Sequence, residues 1–208
     1  MLNKYARAFF AKVLHPVARR LVGAGVSPDV VTLVGTLGVS VGALVFFPRG
    51  EFFWGTVFIT AFVFSDMIDG AMARLTDSPS RWGAFLDSSL DRVGDAAIFA
   101  GIAMWWAGGG NSLPNTALAL YCLVVGSLIS YVKARAEGLG MTADVGIAER
   151  ADRLVLVLVM TGLSGLFDLP LLQLAALWIL AVAGTVTVVQ RVVVVRRQAL
   201  APAPRRPA

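Results

Sequence analysis

Residues 65–95 read SDMIDGAMARLTDSPSRWGAFLDSSLDRVGD and hold six of the chain's thirteen acidic residues. The flanks are apolar, FFWGTVFITAFVF at 52–64 and AAIFAGIAMWWA at 96–107. The polar TDSPSR at 76–81 between them is a turn signal. The stretch therefore reads as two antiparallel helices whose carboxylates gather beside the connecting turn. Asp66 and Asp69 are three residues apart and Asp87 and Asp91 four apart, so each pair shares one helix face.

Working outward, 57% of the 208 residues are hydrophobic and the mean hydropathy is +0.76. Those values exclude an ordinary soluble domain and a disordered chain. At about 20 apolar residues per crossing, the expected fold is all-α and polytopic, one membrane domain over 1–198. Charge interruptions and turns divide it into six spans: Asp29–Phe47, Phe52–Leu75, Trp82–Ala107, Thr116–Ala136, Ala148–Leu166 and Leu171–Val195. Residues 199–208, ending in APAPRRPA, read as a disordered cytoplasmic tail.

The N-terminus does not read as a signal peptide, because Lys4, Arg7, Lys12, Arg19 and Arg20 interrupt it. Leu2, Tyr5, Phe9, Val13 and Leu14 recur at helical spacing, which suits an interfacial amphipathic helix over 2–22. His15 and Cys122 each stand alone in the sequence, which leaves no disulfide framework. With six spans, all eighteen Lys and Arg except Arg49 fall on one side or in helix ends adjoining it. That side is expected to be cytoplasmic, with both termini and the acidic turn, in the plasma membrane. No nucleic-acid partner is expected.

Carboxylates at the membrane edge need a reason, since unpaired charge there is expensive. Ion pairs with Arg74, Arg81 and Arg92 are one reading. The other is a hard-metal site: four converging carboxylates repel, two divalent cations neutralise them, and all-oxygen donors favour Mg²⁺ or Mn²⁺. Small residues around the acids, Gly70, Ala71, Ala73, Gly83, Ser88 and Ser89, leave room for a ligand and favour the second reading. Hard metals with open positions commonly bind phosphate oxygens, which points to phosphoryl transfer.

The pattern Asp66-x2-Asp69-Gly70-x2-Ala73-Arg74-x8-Gly83-x3-Asp87-x3-Asp91 resembles the signature of the CDP-alcohol phosphotransferase family position by position. The resemblance implies transfer of a phosphatidyl group from CDP-diacylglycerol to an alcohol, with release of CMP, by a homodimer in the bilayer. It implies that Asp66, Asp69, Asp87 and Asp91 hold two Mg²⁺ ions and that Asp91 is also the general base. CDP-diacylglycerol would be met by Gly70, Ala73, Arg74 and Ser80, and by Pro28, Asp29, Val30, Val31 and Thr32 of SPDVVT. Many relatives carry Asn where this chain has Asp29.

SYVKARAEGLG followed by ERADR resembles the branch of the family that makes phosphatidylinositol phosphate from inositol 1-phosphate. That likeness implies an acceptor-phosphate site of Ser130, Lys133, Arg135, Arg153 and Arg191. Positive-inside flanking charge explains any one of them equally well. The rival branch, phosphatidylglycerophosphate synthesis, takes glycerol 3-phosphate. A divalent-cation channel or transporter is a reading of another class, but it would spread acids through the membrane depth, and these cluster at one edge.

Overall fold

The computed structural model describes residues 16–75 and 80–200, with the side chains of Ser65, Asp66, Met67 and Ala73 outside that description. Every regular element among the described residues is helical. A first helix, α1, occupies 16–23, so only the end of the expected 2–22 interfacial helix lies within the described residues. Then follow α2 (Pro28–Phe46), α3 (Phe52–Val63), α4 (Ser65–Leu75), α5 (Arg81–Ala107), α6 (Leu113–Glu137), α7 (Arg150–Phe167) and α8 (Pro170–Ala199).

Local chemistry sets most boundaries. Ser27 caps α2 by accepting from the Val30 amide at 3.4 Å, with Pro28 in the first turn where its missing N–H costs nothing. A 3₁₀ turn, Phe47–Arg49, closes the helix onto Gly50, whose φ of +79° favours glycine. Ser80 caps α5, accepting from the Gly83 amide at 2.8 Å. Pro114 opens α6 three residues ahead of the expected start, and α8 continues to Ala199.

One expected span differs in kind. Residues 52–75 are two helices, interrupted at Phe64. Uniform apolarity through FVF gives no sign of that break.

The helices pack as a closed ring in the order α2, α5, α6, α8, α7, α3 and back to α2, with α4 against α2 and α3. The shared core is apolar: Phe47, Ile98, Ile102, Trp106, Val157 and Leu177 are buried together. Helices approach closely where glycine allows it. A Cβ on Gly101 of α5 would lie 2.4 Å from the Ala43 carbonyl oxygen of α2. A smaller cluster of Ala18, Ala71 and Met72 seats α1 against α4, with Val31 of α2 beside it.

Among the described residues, four helical segments are long and apolar enough to cross a membrane: Pro28–Arg49, Phe52–Met72, Leu113–Glu137 and Pro170–Ala199. The other two expected spans, in α5 and α7, carry charge. Asp87, Asp91, Arg92 and Asp95 occupy one half of α5, and Arg150, Asp152 and Arg153 open α7. These charged ends define the site.

Candidate active site

The site lies around the charged half of α5, near the end of α4. There α5 separates two cavities of opposite character. The first, about 230 Å³, lies between α2, α4 and α5, lined by Pro28, Asp29, Thr32, Asp69, Gly70, Gly83, Ala84 and Asp87. Its ionisable lining residues are all carboxylates. Asp69 is buried and accepts a 2.6 Å hydrogen bond from the Thr32 hydroxyl, which ties α4 to α2. Gly83 keeps the start of α5 slim; a Cβ there would stand 3.1 Å from Ser80 Oγ and 3.7 Å from Asp29 Oδ1. Asp87 is exposed at the rim.

The second cavity, about 450 Å³, lies on the other side of α5, walled by α6, α7 and α8. Lys133, Arg150, Arg153, Arg191 and Arg92 line it, with Ser88, Asp91, Ser130, Glu137 and Glu149. Arg191 is buried and held by two carbonyls, Nε to Val145 O at 2.9 Å and Nη1 to Ile129 O at 2.7 Å. Arg153, also buried, donates from Nη1 to Ala148 O at 3.0 Å, while its buried Nη2 makes no hydrogen bond. Asp95 Oδ2 lies 3.6 Å from it, an ion pair beyond hydrogen-bond distance, so this donor can still take an anionic ligand. Gly126 of α6 faces this guanidinium, where a Cβ would stand 3.6 Å from Nε. Lys133 pairs with Asp144 and stands 3.9 Å from Glu137. In the loop before α7, the Lys133 hydrogen bond and charge hold the Asp144 carboxyl below its ordinary range.

Asp91 sits at the seam. Arg150 Nη1 donates to its Oδ1 at 2.8 Å, and Arg92 of the next position lies 3.4 Å from its Oδ2. Arg150 also reaches Asp95, one turn further along α5, at 3.1 Å.

The expected residues thus divide. Pro28, Asp29, Thr32, Asp69, Gly70 and Asp87 meet at the acidic cavity, and Ser130, Lys133, Arg153 and Arg191 at the basic one. Arg74 is exposed near Gly70, and Ser80 caps α5. Val30 is exposed and Val31 packs toward α1 and α4, so neither lines the acidic cavity. Arg135 is placed elsewhere: it lines a separate groove with Tyr131, Leu139, Val192 and Arg196. Asp66 and Ala73 belong to α4, but their side chains lie outside the described set. Among the described residues, no three of His, Cys, Asp and Glu close on one point as a metal site. The donor set lining the acidic cavity is nonetheless all oxygen, which suits a hard cation.

Sequence reasoning missed Arg150 and Asp95 and named Arg92 only as an ion-pair partner. Arg150 carried a signal: it lies three residues before Arg153, hence on the same face of α7. Of the ion pairs that the sequence offered, the one between Arg92 and Asp91 is present, at 3.4 Å.

The family model of the CDP-alcohol phosphatidyltransferases matches residues 25–188. The chain is a member of that family, and so an enzyme. Among its relatives, a phosphatidylinositol phosphate synthase of Streptomyces avermitilis is 58% identical, over 95% of this chain and 84% of its own length. One of Mycolicibacterium smegmatis is 48% identical, over 100% of this chain and 96% of that one. The crystal structure of the Mycobacterium tuberculosis phosphatidylinositol phosphate synthase with CDP-DAG bound aligns at a TM-score of 0.87. It is 40% identical and covers 93% of this chain and 99% of that one. The same synthase in complex with manganese and citrate aligns at 0.85 with 40% identity, over 92% and 93%.

Proposed function

We propose that this protein transfers the phosphatidyl group of CDP-diacylglycerol to inositol 1-phosphate, giving phosphatidylinositol phosphate and CMP. The observation that carries the acceptor class is the buried, hydrogen-bond-free Nη2 of Arg153 in a cavity lined by Arg150, Arg191 and Lys133. The lining carries more cations than carboxylates, an excess that a phosphate monoester matches and a neutral alcohol does not. At about 450 Å³ the cavity has room for a cyclic polyol phosphate, whereas glycerol 3-phosphate would leave much of it to water.

The acidic cavity suits the diphosphate of the donor. Asp69 and Asp87, with Asp66 and Asp91 of the signature, would hold Mg²⁺ or Mn²⁺. When bound, such cations draw charge from the diphosphate and stabilise departing CMP. Asp29, Gly70, Arg74 and Ser80 would meet the nucleotide side. In the transfer, an acceptor hydroxyl oxygen forms a bond to the phosphorus bearing the diacylglycerol. The bond from that phosphorus to the CMP oxygen breaks, and the hydroxyl proton passes to the Asp91 carboxylate. Asp91 lines the basic cavity and lies one turn from Asp87 at the acidic one, which suits a base serving both substrates.

Both lipid tails stay in the bilayer if the site lies at its edge. We read α2, α3 with α4, α5, α6, α7 and α8 as six crossings, with the site and both termini in the cytoplasm and a homodimer as the working unit. The packed core of Phe47, Ile102, Trp106 and Leu177 leaves no charged path through the ring, which weighs against a channel.

The test is an acceptor panel with purified protein, CDP-diacylglycerol and Mg²⁺, following CMP release. Inositol 1-phosphate should saturate the enzyme and free inositol should not. Saturation by glycerol 3-phosphate alone would overturn the assignment.

A further inference from the structure

Asp95 is not one of the signature carboxylates and lines neither large cavity. Its side chain is 14% exposed, beside a recess of about 20 Å³ walled by Val39, Ile98 and Leu154. A carboxylate in such surroundings persists as a charge only when paired. Two arginines of α7 converge on it. Arg150 Nε donates to Oδ1 at 3.1 Å, and Arg153 Nη2 lies 3.6 Å from Oδ2. From there the two diverge. Arg150 reaches Asp91 through Nη1, and Arg153 presents itself to the basic cavity.

A pin between helices is the simplest role for a buried ion pair. Yet α5 and α7 are not neighbours in the ring; α5 is seated by α2 and α6, and α7 by α3 and α8. The pairs cross the interior from one helix already held to another. Their most direct effect is on the directions of the guanidinium groups. Arg150 forks across Asp91 and Asp95, a geometry that lysine's single ammonium does not reproduce.

We propose that Asp95 is a positioning residue for the transfer. Through Arg150 it orients the carboxylate of Asp91, and through Arg153 it orients the guanidinium offered to the acceptor's phosphate. Base and acceptor clamp thereby share one anchor. This rests on the acceptor-site reading above.

The experiment is a steady-state kinetic cycle on the purified enzyme in detergent. Outer-shell partners of this kind typically alter activity by roughly 10- to 100-fold. Asp95→Asn should raise the KM for inositol 1-phosphate and lower kcat, each by about tenfold or more, with the KM for CDP-diacylglycerol within about twofold. In an Arg153→Ala background it should raise acceptor KM no further, and in an Arg150→Gln background it should lower kcat no further. A purely structural role would instead multiply with both backgrounds, or shift both substrates together, and would overturn the proposal. Should Asp95→Asn fail to fold, Arg150→Lys serves: lower kcat with acceptor KM and Tm retained supports the anchor, and an unchanged kcat overturns it. If Arg153→Ala and Asp91→Asn are themselves without effect, the acceptor-site reading falls and the proposal with it. If they act as expected while Asp95→Asn stays within twofold of the parent, the positioning role alone falls.

Discussion

Replacing Arg153 by Ala separates an acceptor clamp from ordinary positive-inside charge. The side chain is 5% exposed, so whatever it contacts is contacted without competing water. Its Nη1 is committed to Ala148 O and its Nη2 makes no hydrogen bond. A charge-assisted hydrogen bond from that nitrogen to a phosphate oxygen is worth about 2–3 kcal/mol. Its loss should raise the KM for inositol 1-phosphate roughly 30- to 150-fold. Losing the bond to Ala148 costs about 1 kcal/mol of stability, which for a chain of this size lowers Tm by about 2–4 °C. The KM for CDP-diacylglycerol should hold, since the acidic cavity lies across α5. Arg135→Ala is the internal control: an exposed residue of a different groove, it should leave acceptor KM within about twofold. The assay is CMP release against acceptor concentration at saturating donor. Equal, small effects from both substitutions would refute the clamp, and a large effect from Arg135 alone would relocate it.

Asp87→Asn should abolish turnover while the protein stays folded in detergent, because removing one carboxylate also relieves repulsion among the others; full activity there, or in EDTA, would sink the metal site. Gly101→Ala should destabilise by about 1–3 kcal/mol, because its new Cβ would meet the Ala43 carbonyl, a backbone group that cannot step aside; an unchanged Tm would contradict the close α2–α5 approach. The Asp144 carboxyl is held low by Lys133, so the stability this pair contributes is present above the ordinary carboxylate value of about 3.9. It is lost only as pH falls through the lowered value, so acid near neutrality cannot release Lys133. Asp144→Asn can release it at pH 7.5, and acceptor KM should then fall; a rise would show that Asp144 places Lys133 for binding.

The helices were legible because turn chemistry is local. Pro28 behind Ser27, the Gly50 turn and Pro114 each act within a few residues, and the expected boundaries lie close to the observed ones. The break at Phe64 was not legible, since no Gly or Pro marks it and the turn to polar residues at Ser65 also fits the end of a single span. At the site, Asp69 and Asp87 line one cavity, whereas Asp91, which i,i+4 spacing puts on the face of Asp87, lines the other. Arg135 shows the limit of that reasoning. Only two residues from Lys133, it lies about 200° around α6, and a segment charged on several sides does not reveal which face turns inward. Asp95 and Arg150 were hidden for another reason: their meaning lies in pairing across the ring, between helices far apart in sequence.

The chemistry poses an electrostatic problem that this arrangement meets. An anionic acceptor must approach an anionic diphosphate, and in a partly dehydrated site like charges repel far more strongly than in water. On the proposed reading, carboxylates on one side of α5 would hold the cations that neutralise the donor, and arginines and a lysine on the other side would neutralise the acceptor. A single helix is thin enough for the two cavities to adjoin, yet it keeps Asp69 and Asp87 apart from the arginines and the lysine of the basic cavity. The acids along α5 follow the same logic with depth. Asp87 is exposed to solvent. Asp91, with 17% exposure, sits at the seam, and Asp95, with 14%, is compensated by two arginines. Each turn inward trades access for pairing. A proton acceptor needs some of both, and Asp91 is the carboxylate on this helix that lines the acceptor's cavity while lying one turn from the donor's.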